Sequence, residues 1–171
     1  MTAHVTLLRA VNVAGRKLMM DDLKAIAGEL GLANARTFIA SGNLLFTSGK
    51  SESALKSDLE KRLGAHMGAA VGVMLRTAAE LDRVVERNPF AGEPGNRVAA
   101  IFLDDAPPKD TVERSRNVDD ERIALGEREV YVAYGGKGMG RSRLRIPAAV
   151  KGTARDMNTV AKLAELAKEM E

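Results

Sequence analysis

Cysteine is absent from this chain of 171 residues, and so is tryptophan. The first absence removes disulfides, thiolate nucleophiles, iron–sulfur ligation and cysteine-based zinc sites together. His4 and His66 are the only two histidines, which excludes histidine-rich metal sites. A carboxylate-only magnesium site is not excluded. No metal ligand set and no cofactor is read from the residues. No apolar run approaches the roughly 20 residues that cross a bilayer, and Met1-Thr2-Ala3-His4 leads into a short strand-like run that contains Arg9. A cytoplasmic location with no membrane partner is the expectation.

What is present is ordinary for a globular protein: 45% hydrophobic and 29% charged residues, enough for one domain or two small ones. The net charge of +3 is modest, but its distribution is uneven. Lys137, Arg141, Arg143, Arg145, Lys151 and Arg155 follow one another with no acidic residue between Gly135 and Arg155, so the remainder of the chain is slightly acidic. Such a run attracts phosphate or another polyanion, and it also fits a solvated basic loop.

His4 to Ala10 reads as a buried strand, and Leu23, Ile26, Ala27 and Leu30 follow at the spacing of one helical face, ended by Gly31. Arg36 to Ala40 and Leu44 to Ser48 are β-type runs joined by the turn Ser41-Gly42-Asn43. Leu55, Leu59, Leu63 and Met67 recur every four residues, and Val71 to Arg76 form a fourth strand. The order is ferredoxin-like βαββαβ. A right-handed crossover makes the first two strands parallel, with the hairpin's return strand between them. The loop after Ala10, the Ser41-Gly42-Asn43 turn, the first helix start and the connection around His66 then share one rim.

Thr77-Ala78-Ala79-Glu80 has the side chains of a capping box, so a third helix runs to about Asn88, where Pro89 stops it, and Asn88 to Gly95 reads as a linker. Arg97 to Leu103 is a strand, Pro107-Pro108 opens a short helix to about Arg116, and Glu121 to Leu125 and Glu129 to Tyr134 form a hairpin. A β-α-β-β pattern thus returns and suggests duplication. Thr153 to Asp156 reads as a second capping-box start, placing Arg155 and Asn158 on the first turn of a last helix. The fold expectation is α+β: a ferredoxin-like subdomain with trailing helix at 1–88, and an irregular βαββ-α subdomain at 89–171.

Backbone amides of a glycine turn and of a helix start bind anions without a catalytic side chain. At the rim, Arg9, Arg16 and Lys17 add charge, while Asn12, Ser41, Gly42 and Asn43 supply neutral hydrogen bonds. Asp21 and Asp22 oppose them, and Asn and Ser in tight turns commonly bond their own backbone. The Gly135 to Gly140 loop lacks the phosphate-loop and Rossmann spacings, and no Gly-x-Ser-x-Gly elbow is present. Phe46 alternates with Leu44 and reads as core, so RNA recognition by exposed aromatics is disfavoured. A phosphate-backbone binder using Arg141, Arg143 and Arg145 survives that objection.

Leu7-Leu8-Arg9-Ala10-Val11-Asn12-Val13-Ala14-Gly15-Arg16-Lys17, the Ser41-Gly42-Asn43 turn, Asn88-Pro89-Phe90 and the stretch from Thr153 to Val160 together resemble the signatures of the bacterial domain-of-unknown-function 1697 family. The likeness spans nearly the whole chain and implies a fold and a set of positions, without a reaction. The chain departs from the family at Ala10, where a glycine is usual, and at Asp156-Met157, where asparagine-tryptophan is usual. The stretch from Arg143 to Gly152 is also shorter, with Pro147 where a helix is expected. The expected function is binding of an anionic ligand, a nucleotide or nucleic-acid phosphate. The expected ligand contacts are Arg9, Asn12, Arg16, Lys17, Ser41, Gly42, Asn43, Arg141, Arg143, Arg155 and Asn158. The alternatives are a small-molecule enzyme with its pocket at Asn12, Ser41, Asn43 and His66, and a structural or protein-interaction module.

Overall fold

Strand β1 (Thr2–Arg9) is buried on both faces: Ala3, Val5 and Leu7 alternate with His4, Thr6 and Leu8, and all six are buried. A strand of that kind belongs in the middle of a sheet with cover on each side. The computed structural model of the chain describes residues 1–9, 18–38 and 42–171. In it the chain divides into two compact units, residues 1–81 with 163–171, and residues 82–162. Among the described residues there are two four-stranded antiparallel sheets and four α-helices.

In the first unit β1 is followed by α1 (Met20–Glu29), β2 (Ala33–Phe38), β3 (Asn43–Ser48), α2 (Glu52–Met67) and β4 (Gly72–Thr77). The sheet order is β2-β3-β1-β4, with β3 and β4 both antiparallel to β1. Strands β1 and β2 therefore run the same way with β3 between them, as the crossover argument requires. Leu8, Leu44, Phe46, Val73 and Leu75 from the sheet pack with Leu23 and Ile26 of α1 and Leu55, Leu59 and Leu63 of α2. Each fully buried leucine contributes about 2 kcal/mol. Ser51 caps α2 by accepting the Ala54 N–H at 3.2 Å, and Gly68, at φ 71°, ends it in the left-handed region. The Arg62 Nε donates to Glu29 Oε2 at 2.6 Å and ties α2 to α1.

The trailing helix α3 (Ala78–Glu86) begins directly after β4 with the expected capping box. The Thr77 N–H donates to Glu80 Oε1 at 2.9 Å, and the Glu80 N–H donates to Thr77 Oγ1 at 3.2 Å.

The second unit contains β5 (Val98–Phe102), β6 (Arg122–Leu125), β7 (Glu129–Ala133) and β8 (Thr153–Asp156), ordered β6-β7-β5-β8. Strand for strand this repeats the first sheet, and β8 supplies a fourth strand that the residues did not announce. Thr153 to Asp156 is not a helix start: it pairs with β5, Ala100 opposite Arg155 and Phe102 opposite Thr153. Helix α4 (Met157–Glu169) begins one residue later, with Asp156 Oδ1 accepting the Thr159 N–H at 2.8 Å. Nor is there a helix between Pro107 and Arg116. Thr111 Oγ1 donates to the Pro108 carbonyl, and Ser115 Oγ to the Thr111 carbonyl at 2.8 Å, so hydroxyls compete for carbonyls that a growing helix uses. The cover on this sheet comes from loop residues: Leu144, Ile146 and Ala149 pack on Val130, Val132 and Leu103.

Arg76 and Arg155 occupy matching places, each the next-to-last residue of a fourth strand and each buried. Arg76 Nη1 donates to the Leu75 carbonyl at 2.8 Å, and Arg155 Nη1 to the Ala154 carbonyl at 2.9 Å. A buried arginine, a capping residue and a helix thus follow one another twice, which is structural support for duplication.

Candidate functional site

The strand ends of the first unit meet at one edge. Leu7 and Phe38 both lie opposite Asn43, and Arg9 lies opposite Gly72. Asn12, Arg16, Lys17 and Ser41 lie outside the described residues. Arg9 is exposed at the end of β1, and its Cβ sits so close to Gly72 that a Cβ there would stand 3.1 Å away. Gly42, at φ 82°, accepts the Leu8 N–H on its carbonyl at 2.9 Å. Asn43 is fully buried and donates its Nδ2 to the Phe38 carbonyl at 3.0 Å, closing its own hairpin. His66, near the end of α2, places Nε2 3.6 Å from Asp22 Oδ2 on the first turn of α1.

The second unit holds a cleft built from its two long connections, residues 103–121 and 134–152. They meet where Arg116 and Arg145 exchange both backbone hydrogen bonds, at 2.8 and 2.9 Å. Leu144 and Ile146 pack inward on the sheet, while Arg141, Arg143 and Arg145 are exposed. The basic run is therefore anchored by its alternate apolar residues. Asn117, Asp119, Glu121, Lys137, Arg141 and Arg143 line a cleft of about 430 Å³. Asn117 holds φ 57°, a left-handed conformation that asparagine tolerates better than most residues. A Cβ on Gly135 would stand 2.0 Å from Asp120 Oδ2, so a side chain there displaces the exposed Asp120 carboxylate.

The acidic groups of the cleft are already engaged. Lys137 Nζ donates to Asp119, which raises the lysine above its ordinary pKa. Glu121 accepts the Ser142 hydroxyl and the Asp119 N–H, and these two hydrogen bonds hold its carboxyl below the usual range. The side chains of Arg141 and Arg143, by contrast, have no hydrogen-bond or ion-pair partner among the described residues.

Arg155 and Asn158 do not share a helical turn. Arg155 is on β8, its guanidinium bonded to Thr153 Oγ1 at 2.9 Å and pushed down to about 10 by burial. Asn158 is exposed on the first turn of α4, where its Oδ1 lies over Gly95, 2.0 Å from where a Cβ would be. Neither lines the cleft. Sequence reasoning did not single out Asn117, Asp119 and Glu121. The signal available was the polar stretch from Ser115 to Glu121 between two apolar strands, but nothing in its spacing says that it faces the arginine run. Among the described residues no group of three or more His, Asp or Glu side chains is placed to hold a metal ion, and no helix is long and apolar enough to cross a membrane.

Comparison with known proteins adds a family and a fold. Residues 1–131 match the family described as "Protein of unknown function (DUF1697)", and the chain belongs to that family. Lys137, Arg141 and Arg143 lie beyond the matched residues. No curated protein matches. Among solved structures, conserved bacterial protein SP0830 from Streptococcus pneumoniae is similar over 97% of this chain and 98% of its own, with a TM-score of 0.80 and 23% identity. That likeness shows a shared fold.

Proposed function

We propose that this member of the DUF1697 family binds a phosphate-bearing ligand, a nucleotide or nucleic-acid phosphate, in the cleft that Arg141 and Arg143 line. One observation carries the reading: two exposed guanidiniums lack partners in a cleft whose carboxylates are already occupied. A guanidinium presents a planar fork of donors that matches phosphate oxygens in pairs, and it keeps its charge at any physiological pH. Asn117 adds a neutral donor and acceptor at the same wall. A volume of about 430 Å³ accommodates a ligand of mononucleotide scale. Arg9 is a second candidate position at the exposed end of β1, with Asn158 as a further exposed position; the expectations at Asn12, Arg16, Lys17 and Ser41 fall outside the described residues. Gly42, Asn43 and Arg155 are read as supporting the local fold, since their polar groups bond the surrounding backbone.

The test is calorimetric titration with inorganic pyrophosphate and with a nucleoside triphosphate. Arg141→Gln combined with Arg143→Gln is expected to weaken binding at least tenfold, because a hydrogen bond to a charged group contributes about 1.5–3 kcal/mol. Arg9→Gln leaves this site unchanged. Equal affinity in the double variant, or no binding by the unaltered protein, overturns the reading.

A further inference from the structure

We infer that the cleft is one end of a longer track for the phosphate backbone of a single-stranded nucleic acid, continued by Arg145 and Arg116; this rests on the reading of the cleft as a phosphate site. Arg116 and Arg145 are directly opposite each other, since each donates its backbone N–H to the other's carbonyl. Their side chains then leave on one side of the pair with Cα atoms about 5.5 Å apart. Like charges so placed repel and destabilise the pairing. Neither side chain has a carboxylate partner among the described residues, although Glu113 lines the neighbouring cavity of about 490 Å³ together with Arg116. A bound polyanion relieves that repulsion.

Spacing points the same way. Leu144 and Ile146 are held on the sheet, so Arg143 and Arg145 emerge together on the opposite side. Residues two apart on extended chain are separated by roughly 6.6 Å, a distance of the order of that between successive phosphates on a strand. Arg143 also lines the cleft, so the track is continuous with it. The segments that carry these arginines contain no α-helix and no two-stranded ribbon that would enter a duplex groove. Phe46, Phe102 and Tyr131 are buried, which leaves few rings on which bases would stack. Recognition is then electrostatic, independent of sequence and steeply dependent on salt.

The experiment is fluorescence anisotropy with a labelled single-stranded oligonucleotide of about a dozen nucleotides, within the range of single-strand site sizes, over a series of salt concentrations. Pyrophosphate titration runs beside it. Arg116→Gln with Arg145→Gln lies outside the cleft lining. It is expected to flatten the log–log salt slope by about 0.7 per arginine removed and to leave pyrophosphate affinity unchanged. An unchanged slope in that variant overturns the track while the cleft reading stands. Pyrophosphate binding without oligonucleotide binding has the same meaning. Binding of neither probe overturns both. Competition by polyglutamate as effective as that by unlabelled oligonucleotide replaces nucleic acid with polyanions in general, and so overturns the proposed partner.

Discussion

In the first unit helices α1 and α2 connect the strands and cover the sheet; in the second, residues 103–121 and 134–152 make the corresponding connections without an α-helix. Both sheets nevertheless have the same strand order. The difference shows that the pairing pattern does not depend on what joins the strands, provided each connection delivers apolar side chains to the sheet. Leucines one helical turn apart do this on α2, and Leu144, Ile146 and Ala149 do it from a loop. The two solutions differ in what they leave on the outside. A helix satisfies its own backbone and hides most of its polar groups along one axis. An irregular loop exposes charged side chains at angles that can converge, and the cleft lies among such loops.

Core deletions test that contrast most severely. Leu59→Ala on α2 is expected to cost about 3 kcal/mol, read from urea unfolding. Ile146→Ala is expected to cost about 2 kcal/mol, at the low end of the range for such deletions, because the residue keeps 7% exposure. A cost near zero for Ile146→Ala breaks the claim that the loop supplies a core. Gly152→Ala is next, at about 1–3 kcal/mol for an overpacked site, since a Cβ there would lie 2.7 Å from Ile101 Cγ2 and 2.9 Å from the Phe102 carbonyl. Thr77→Ala and Asp156→Ala each remove a helix cap and are expected to cost about 1 kcal/mol apiece. Similar values sharpen the equivalence of the two strand-to-helix junctions, and a large disparity weakens it.

A pH effect on stability is expected from His4 in the first unit. His4 is buried and stacked on Phe46 at 5.6 Å, and its Nε2 has no hydrogen-bond partner among the described residues. Burial lowers its pKa below 6.5 despite the opposing influence of the Ser48 backbone and of Glu80, Glu52 and Glu171. As pH falls the unfolded chain takes up the proton first, so stability is lost from about 6.5 downward to the folded value and is unaffected above. Urea midpoints measured on either side of 6.5 show the slope, and His4→Leu flattens it. The smallest change in stability, within about 0.5 kcal/mol, is expected for Arg141→Gln with Arg143→Gln, although that pair has the largest expected effect on anion binding.

Much of the first unit was legible because its signals are local. The four-residue leucine repeat, Gly31 after α1 and the Thr77–Glu80 box each act within a turn or two of chain, and the structure bears out all of them. The second unit is harder because its decisive interactions are not local. Thr153 to Asp156 has the residues of a capping box, and only pairing with β5, about fifty residues away, makes it a strand. The cleft has the same origin. Asn117 and Arg143 become neighbours through the Arg116–Arg145 pair, a contact without a turn motif or hydrophobic period to announce it.

Strands β4 and β8 lie at sheet edges, each with a single neighbour, where register is least protected. Each also runs into a helix without an intervening residue. A slip of one position along the neighbouring strand would turn the strand's side chains to the opposite face and displace the attached helix with it, carrying Leu81 of α3, or Val160 of α4, out of their buried places. The helix therefore acts as a vernier for the edge strand, and a misaligned sheet is penalised by buried side chains that lie outside the strand itself.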